Sequence, residues 1–336
     1  MTEDKIVKLF KDKGLGEVRL PILPVSGGFM HRMYKVDTGA ASYAVKQLNP
    51  NIMKRPDAMD NMRQAEALEA ELEKAGIPIV PALILGGKKM QTLKGDHFYV
   101  FQWQEGAVTD PHHISAEQCR MAGQIQGRIH AISPKRIPKE MPEMSAIRWS
   151  GLIKEAEAAN PGLGKLLKEN EDLLLYAEGE LNRARAALPE IECIVDEDMD
   201  PKNVMWHGGE PKVIDLECLE RGNPVSGVLQ LSLQWAGSTI GDPDLSKLKS
   251  FFDGYLEAYD NGFRDYCSVF GLAYTWVEWL EYNIRRALGE CADEKERELG
   301  LSETELTISR IQYLRGREKE IRQALKGWFG QGNSTG

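Results

Sequence analysis

Polar residues of the kind that bind phosphate and magnesium are concentrated in two short segments, 196-DEDMDPKN-203 and 213-VIDLE-217. Phosphoryl transfer needs a carboxylate that orients or deprotonates the acceptor hydroxyl, and oxygen ligands that hold magnesium on the nucleotide phosphates. Asp198 could supply the carboxylate, while Asn203, five positions later, and Asp215, at the end of an apolar run, could supply the ligands. An Asp-x4-Asn pair alone is equally consistent with a turn whose side chains satisfy local backbone groups. Turn formation does not explain the second strand ending in Ile-Asp, and the pair of segments therefore favours a phosphoryl-transfer centre.

The first hundred residues alternate β-type runs with turn signals, and one segment among them has a helical period. The sequence predicts strands over 18–28, 29–39, 42–49, 82–87 and 97–103, and a helix over 56–75 between the third and fourth of them. This order is typical of an antiparallel sheet with one helix packed on a face.

The chain becomes mainly helical from about residue 104 onward. Amphipathic stretches predict helices near 115–132, 152–187, 226–238, 245–260, 266–289 and 302–326. Short apolar runs between 191 and 217 interrupt them with β structure. We therefore predict an α+β chain with an N-terminal sheet region over 1–103, a mainly helical region over 104–327, and a flexible tail over 328–336.

Two motifs carry a resemblance to a known family. The segments 198-DMDPKNVMW-206 and 213-VIDLE-217 resemble the catalytic loop and the metal-binding Ile-Asp-x-Glu of the aminoglycoside phosphotransferase and choline kinase superfamily, whose fold is similar to that of protein kinases. The resemblance implies a bilobal fold that binds ATP or GTP with Mg²⁺ between the lobes and moves the γ-phosphate to a hydroxyl of a small molecule. It implies that 1–103 is the nucleotide-binding lobe and that 104–327 is the lobe with the catalytic loop and the substrate site. It implies that Asp198 is the catalytic base and that Asn203 and Asp215 are magnesium ligands. An aminoglycoside, a sugar, an amino alcohol or homoserine all remain open as acceptors.

The chain departs from the family pattern at two places. Asp196 stands where the family usually has a His that braces the loop, and this puts three acidic residues, 196–198, side by side, which tends to raise a pKa there. The run 225–228 lacks the Asp that often anchors the loop. These departures motivate an alternative hypothesis, a catalytically silent nucleotide-binding protein of the same fold.

The resemblance also implies a nucleotide site in the N-terminal half. Lys46, in 44-AVK-46, would reach the α- and β-phosphates, with Ala44 lining the adenine pocket. Glu66 on the following helix is its predicted ion-pair partner, and Glu69 is the second choice. The backbone of Ser26, Gly27 and Gly28 could approach phosphate, although the same residues suit a hairpin turn.

The strand over 97–103 is predicted to form the hinge that contacts adenine, and the helical half is predicted to bind the acceptor. Backbone groups near Gln102 and Trp103 would meet the adenine edge, with a plain buried strand as the alternative. In the predicted helix over 266–289, carboxylates and aromatic rings lie side by side, and together they suit an amine or quaternary ammonium acceptor. A stripe of aromatic residues on one helix face is, however, more often core packing. The predicted acceptor contacts are Trp276, Trp279, Glu278, Asp200 and Glu217. His130 matches a family position, and a structural role is the preferred interpretation.

Composition excludes several classes of protein. The net charge of -9 and a pI near 5.4 argue against a general nucleic-acid binder. The five cysteines are odd in number and never spaced as C-x-x-C, which predicts neither a zinc site nor a disulfide framework. No segment has the roughly 20 apolar residues needed to cross a bilayer. We expect a cytoplasmic protein without a membrane partner, and the oligomeric state stays open.

Overall fold

A computed structural model of the chain describes residues 2–25, 31–136, 144–241, 243–291 and 293–330. Its internal contacts divide the chain into two compact units. The first consists of Met1–Val108 and Lys202–Glu220, and the second of Thr109–Pro201 and Arg221–Gly336.

The helices and strands follow in chain order along the described residues. The strands are β1 Val18–Val25, β2 Arg32–Thr38, β3 Ser42–Gln47, β4 Gln91–Leu93, β5 Asp96–Gln102, β6 Ala107–Val108, β7 Lys135–Arg136, β8 Ile191–Asp196, β9 Val204–His207, β10 Glu210–Val213 and β11 Leu219–Gly222. The α-helices are α1 Thr2–Lys13, α2 Ala58–Lys74, α3 Ala116–His130, α4 Trp149–Ala159, α5 Pro161–Glu169, α6 Glu171–Ala186, α7 Pro224–Trp235, α8 Leu245–Ala258, α9 Trp276–Ala287 and α10 Glu294–Phe329.

The first unit is built on an antiparallel sheet in the order β1-β2-β3-β5-β4. Its apolar core joins the sheet to α1, and it includes Phe10, Val36, Val45 and Phe98. The predicted antiparallel sheet and the predicted helix over 56–75, observed as α2, are confirmed. The mainly helical second part is also confirmed, so the α+β class stands.

One strand prediction in this unit is wrong. The segment 82–87 is not a strand of the sheet. Ala82 makes an isolated bridge to Phe101 and the Leu83 N–H donates to the Val100 carbonyl at 2.8 Å, but Leu85 already bridges to Lys88. Two features end its pairing with β5. The Ala82 N–H donates to the Glu69 carboxylate rather than to a strand, and Gly86 and Gly87 both have positive φ, which turns the backbone. The outer strand is β4 instead, which pairs with β5 across a tight turn.

A second, smaller sheet moves the boundary between the units. Its order is β10-β9-β6, with Ala107 opposite Trp206. The Val213 carbonyl also accepts from Val80 N–H, at 2.9 Å. These hydrogen bonds attach 202–220 to the first unit and carry that unit to Val108, whereas the sequence places its end at residue 103.

The second unit is mainly helical, and its elements differ from the sequence prediction in three places. The predicted helix over 266–289 is α9 only from Trp276 onward, and the 3₁₀ helix Phe270–Thr275 precedes it. The predicted helix over 152–187 is three helices, because Pro161 lacks an N–H and the Asn160 side chain caps α5 by accepting from Gly162 and Leu163. The last helix, α10, continues to Phe329, whose ring packs 5.1 Å from that of Phe252, so the first part of the predicted tail is helical. Residues 331–336 lie outside the described part. In the described ranges, no helix is long and apolar enough to span a membrane.

Helices α3 and α8 pack closely at two glycines, Gly123 on α3 and Gly254 on α8. A Cβ at Gly123 would overlap the carbonyl oxygen of Phe251, and one at Gly254 would overlap that of Arg120. We expect Gly123→Ala to lower the free energy of unfolding by about 2–4 kcal/mol, because backbone cannot move aside as a flexible side chain can. Urea-induced unfolding followed by tryptophan fluorescence measures the change.

Gly316→Ala in α10 is the matched control. A Cβ there meets no atom of the described residues within 4 Å. Alanine favours a helix over glycine, and the variant should gain about 0.5–1 kcal/mol. A Gly123→Ala protein as stable as the wild type would contradict the close packing of α3 on α8.

Candidate active site

The hairpin of β9 and β10 brings together the two predicted magnesium ligands. Its last paired residues are Val204 and Val213, and just beyond them the Ile214 N–H donates to the Asn203 carbonyl at 2.9 Å. Asn203 and Asp215 therefore lie at the same end of the hairpin, next to its two paired strands. Asn203 is buried, whereas the Asp215 side chain is 38% exposed.

Asp215 has a left-handed backbone, with φ 63° and ψ 59°. An L-residue other than glycine in such a conformation costs about 1–3 kcal/mol, and such residues cluster at functional sites. The conformation ends the strand and starts the 3₁₀ turn Leu216–Cys218, whose N–H groups the Asp215 side chain does not cap. Its carboxylate instead faces a lysine of the sheet.

That lysine is Lys46, which is buried on β3. Its Nζ lies 2.6 Å from Asp215 Oδ1 and 2.7 Å from Glu217 Oε1. Burial by itself lowers the pKa of Lys46, but the carboxylates of Glu217 and Asp215 outweigh burial and the pKa is raised. Lys46 is therefore held charged at neutral pH, with two acids on its ammonium group.

Glu217 has a second partner that the sequence analysis missed. His31 Nε2 lies 2.9 Å from Glu217 Oε2. Burial opposes ionisation of Glu217, yet Lys46 and His31 together lower its pKa to about 2. Both carboxylate oxygens of Glu217 therefore contact residues of the first unit, whereas the sequence predicted that Glu217 contacts the acceptor. A lone histidine near the start of the predicted strand 29–39 carries no signal of a contact 186 positions along the chain.

The predicted ion pair between Lys46 and Glu66 is not formed. Glu66 accepts from the Tyr99 hydroxyl at 2.8 Å and from Met90 N–H at 3.2 Å. The second choice, Glu69, pairs instead with Lys89 at 3.2 Å. A small cavity of about 20 Å³ is lined by these two glutamates and by the lysine cluster, which consists of Lys46, Asp215 and Glu217. The carboxylates of the 213–217 segment have taken the place assigned to the helix.

The other predicted nucleotide contacts are only partly described. Ala44 is half-buried on β3 opposite Phe101. The Trp103 N–H donates to the Ser42 carbonyl at 3.1 Å, and the Gln102 side-chain amide donates to the same oxygen at 3.2 Å. The Trp103 backbone N–H, which lies in the segment predicted to meet the adenine edge, is therefore already bonded within the sheet. Ser26, Gly27 and Gly28 lie outside the described residues.

In the second unit, two hydrogen bonds brace the start of the catalytic-loop segment, the residues 198–206 that are predicted to form the catalytic loop. The Asp198 N–H donates to the buried Asp196 carboxylate at 3.2 Å, and the Trp235 indole N–H donates to the Met199 carbonyl at 2.9 Å. Asp198 itself is half-buried. Asp196 thus supports the loop through a backbone hydrogen bond, which is a bracing role in the position where the family usually has His.

His130 is a structural residue of the second unit. Its ring is fully buried, with Nδ1 2.9 Å from the Tyr255 hydroxyl and Nε2 2.6 Å from the Gln126 side-chain amide. Burial lowers the pKa of His130 to about 3. The imidazole is therefore neutral at pH 7, in agreement with the preferred sequence interpretation.

The protonation of His130 predicts a pH dependence of stability. An unfolded histidine has a pKa of about 6.5, so below that pH the unfolded state binds one more proton than the folded state. The free energy of unfolding should then fall by about 1.4 kcal/mol per pH unit on account of this residue, or about 2 kcal/mol by pH 5. His130→Gln cannot titrate, and urea unfolding at pH 7 and pH 5 should show a correspondingly smaller acid loss. Equal losses in both proteins would contradict a neutral buried His130.

The predicted acceptor residues on α9 already have cationic and aromatic partners. Glu278 accepts a bidentate contact from Arg185, with distances of 2.7 and 2.8 Å. The Arg310 guanidinium lies 4.9 Å from the ring centre of Trp276. Trp279 stacks on Tyr282, with ring centres 5.4 Å apart. Arginines of the chain thus occupy part of the face predicted to bind an amine.

Asp200, also a predicted acceptor contact, interacts electrostatically with Arg310. Burial lowers the pKa of Arg310, whereas the charges of Glu303 and Asp200 raise it. The Arg310 Nε–H donates to the Thr239 carbonyl at 3.1 Å, which fixes the guanidinium near the catalytic-loop segment. The sequence analysis did not predict Arg310 as a site residue, because no motif lies near it in the predicted helix over 302–326.

The donor set at Asn203 and Asp215 fits magnesium. Over the described ranges, no group of three or more His, Cys, Asp or Glu side chains is arranged to hold a metal ion. A cage made of protein ligands alone is therefore not found there. Mg²⁺ is usually bound by one or two carboxylates together with substrate phosphates and water, and the half-exposed carboxylate of Asp215, on the same hairpin as Asn203, matches that requirement.

Known structures show the same fold. A spectinomycin phosphotransferase in complex with ADP and spectinomycin superposes with a TM-score of 0.69, at 13% identity, over 94% of this chain and 98% of that one. A microcompartment-associated aminopropanol kinase matches with a TM-score of 0.61, at 13% identity, over 93% and 98% of the two chains. An ethanolamine kinase from Plasmodium vivax matches with a TM-score of 0.57, at 14% identity, over 91% and 84%.

Sequence comparison identifies the family. No curated protein matches this chain. The model of the phosphotransferase enzyme family, APH, matches residues 21–287, which run from within β1 to the end of α9 and include residues 198–206 and the lysine cluster. The chain therefore belongs to the phosphotransferase enzyme family.

Proposed function

We propose that the protein transfers the γ-phosphate of ATP or GTP to a hydroxyl of a small molecule, with Mg²⁺. The observation that carries this proposal is the buried Lys46 ammonium on the carboxylate of Asp215, a residue held in left-handed backbone beside Asn203. An ion pair built only for stability would not need a strained residue with a half-exposed carboxylate. A lysine that binds phosphate and an acid that binds metal do need one another close by.

Each group has a defined part in the proposed reaction. Lys46 binds phosphate oxygens and orients the nucleotide, while Asp215 and Asn203 would hold Mg²⁺, which neutralises charge on the transferred phosphoryl group when bound. Asp198 accepts the proton of the acceptor hydroxyl. The acceptor oxygen forms a bond to the γ-phosphorus, and the bond from that phosphorus to the β,γ-bridging oxygen breaks to release the nucleoside diphosphate.

The acceptor is a small hydroxyl compound in this proposal. Spectinomycin, aminopropanol and ethanolamine appear with the three similar structures, and each carries a hydroxyl and an amine. The α9 face of this chain is partly neutralised by Arg185 and Arg310, so an amine is not the only group that it would accept. Acceptors must therefore be surveyed broadly.

The test measures release of ADP or GDP from ATP or GTP with Mg²⁺, across aminoglycosides, amino alcohols, sugars and homoserine. Turnover that requires one class of acceptor, and that is lost when EDTA removes the metal, would support the proposal. The competing silent binder predicts thermal stabilisation by nucleotide without acceptor-dependent release. No stabilisation by ATP or GTP would overturn both.

A further inference from the structure

We infer that Glu217, oriented by His31, is the permanent acidic partner of Lys46, in place of a glutamate from helix α2. The inference rests on the proposed function and assigns two positioning residues to its nucleotide site. It follows from four residues whose contacts form a continuous chain within the first unit.

The chain of contacts defines the protonation of His31. The Asn49 backbone N–H lies 2.9 Å from His31 Nδ1 and can only donate, so Nδ1 is the acceptor. The other ring nitrogen of His31, Nε2, then carries the proton and donates to Glu217 Oε2 at 2.9 Å. The opposite oxygen, Glu217 Oε1, lies 2.7 Å from Lys46 Nζ. A backbone amide of the sheet region thereby orients the carboxylate that faces the lysine.

Burial separates the roles of the two acids on Lys46. The exposed fractions of the side chains are 6% for Lys46, 9% for His31 and 15% for Glu217, but 38% for Asp215. A buried charge that loses its partner is costly, so Lys46 needs an acid that stays. Asp215 is the accessible acid and the proposed metal ligand. Glu217, with its second oxygen held by His31, is the acid that can remain on Lys46 when Asp215 binds metal.

The acids of helix α2 have other partners. The Glu66 carboxylate accepts from the Tyr99 hydroxyl and from Met90 N–H, and Glu69 accepts from Ala82 N–H and pairs with Lys89. Each of these bonds satisfies a group in or beside the sheet. Moving either carboxylate onto Lys46 would break contacts that tie α2 to the sheet, which is a cost that Glu217 does not incur.

The first experiment compares nucleotide affinity by calorimetry in matched variants. Glu217→Gln and His31→Asn should weaken binding of Mg-ATP about tenfold or more, because each removes a charged or donor group that positions the buried lysine. His31→Asn can still accept from Asn49 but does not reach Glu217. His31→Gln retains a side-chain N–H that can reach Glu217, and it should restore most of the affinity.

Two variants on α2 serve as comparisons. Glu66→Gln should change affinity by no more than about threefold, since its hydrogen bonds are to neutral groups. Glu73→Gln removes an exposed carboxylate of the same helix and controls for net charge. The Michaelis constant for nucleotide should follow the affinity losses, with a smaller change in kcat, whereas a purely structural defect would lower the melting temperature and leave the affinity of the folded protein unchanged.

A structure of the wild-type protein with a non-hydrolysable nucleotide and Mg²⁺ tests the same inference without any variant. We expect Lys46 Nζ to remain within 4 Å of a Glu217 oxygen. Lys46 paired with Glu66 in that structure would overturn the inference, and so would a Glu66→Gln loss as large as that of Glu217→Gln. A wild-type protein that binds no nucleotide at all would overturn the proposed function itself, a result distinct from normal binding that is insensitive to Glu217.

Discussion

Asp198→Asn is expected to lower turnover by about 10²- to 10⁴-fold, the usual contribution of a positioned general base. Asparagine has nearly the same shape but cannot accept the hydroxyl proton. The backbone N–H of residue 198 still donates to Asp196, so the loop should keep its conformation. Because Lys46, Asp215 and Glu217 are unchanged, nucleotide affinity should stay within about threefold of the wild type.

The measurement pairs steady-state turnover with nucleotide affinity from calorimetry, on whichever acceptor the survey finds. Glu190→Gln, an exposed carboxylate just before β8, is the matched control and should retain normal turnover. An Asp198→Asn enzyme that keeps wild-type kcat would exclude Asp198 as the base. A variant that loses nucleotide binding as well as turnover would show that Asp198 acts on the nucleotide side.

Asp215→Asn is expected to remove the tightening of nucleotide binding by Mg²⁺ and to lower kcat at least about 100-fold, more than the loss typical of a residue that merely supports a metal ligand. Asparagine is the informative replacement, because Asn tolerates the left-handed backbone found at this position and adds no conformational strain. The lysine also keeps Glu217, so its charge remains paired. The variant should therefore fold normally.

Calorimetric titration of ATP at several Mg²⁺ concentrations measures this effect. In the wild type the affinity should rise with Mg²⁺, and in Asp215→Asn it should become nearly independent of the metal. Circular dichroism and the melting temperature report whether the fold is intact. An unchanged Mg²⁺ dependence would contradict the assignment of Asp215 as a ligand and would turn attention to other oxygen donors of the first unit.

The sequence was sufficient where a property depends on order along the chain. The alternation of apolar runs and turns predicted the antiparallel sheet with its helix and the helical remainder. The motifs around Asp198, Asn203 and Asp215 predicted the family. Asn203 and Asp215 meet because a short hairpin joins them, and a hairpin is a local structure that spacing can indicate.

Errors arose where the sequence pattern left competing local structures open. The segment 82–87 has the composition of a strand, but its backbone N–H at Ala82 donates to a glutamate of α2 rather than to a neighbouring strand. The helical period over 152–187 continues through a break at Pro161, because apolar residues recur on both sides of it. Periodicity reports which residues are buried and does not report where the backbone turns.

The partners of the charged residues were decided by tertiary structure alone. Sequence order favoured Glu66 as the partner of Lys46, but the buried ammonium pairs with carboxylates that lie about 170 positions away. His31 contacts Glu217 across 186 positions of the chain, and Arg185 contacts Glu278 across 93. The free energy of a buried charge depends on which opposite charge lies within a few ångströms, and that distance is set by how sheets and helices pack. The sequence by itself therefore determined the fold class, the family and the motif residues, whereas only the tertiary structure decided which acid serves the lysine.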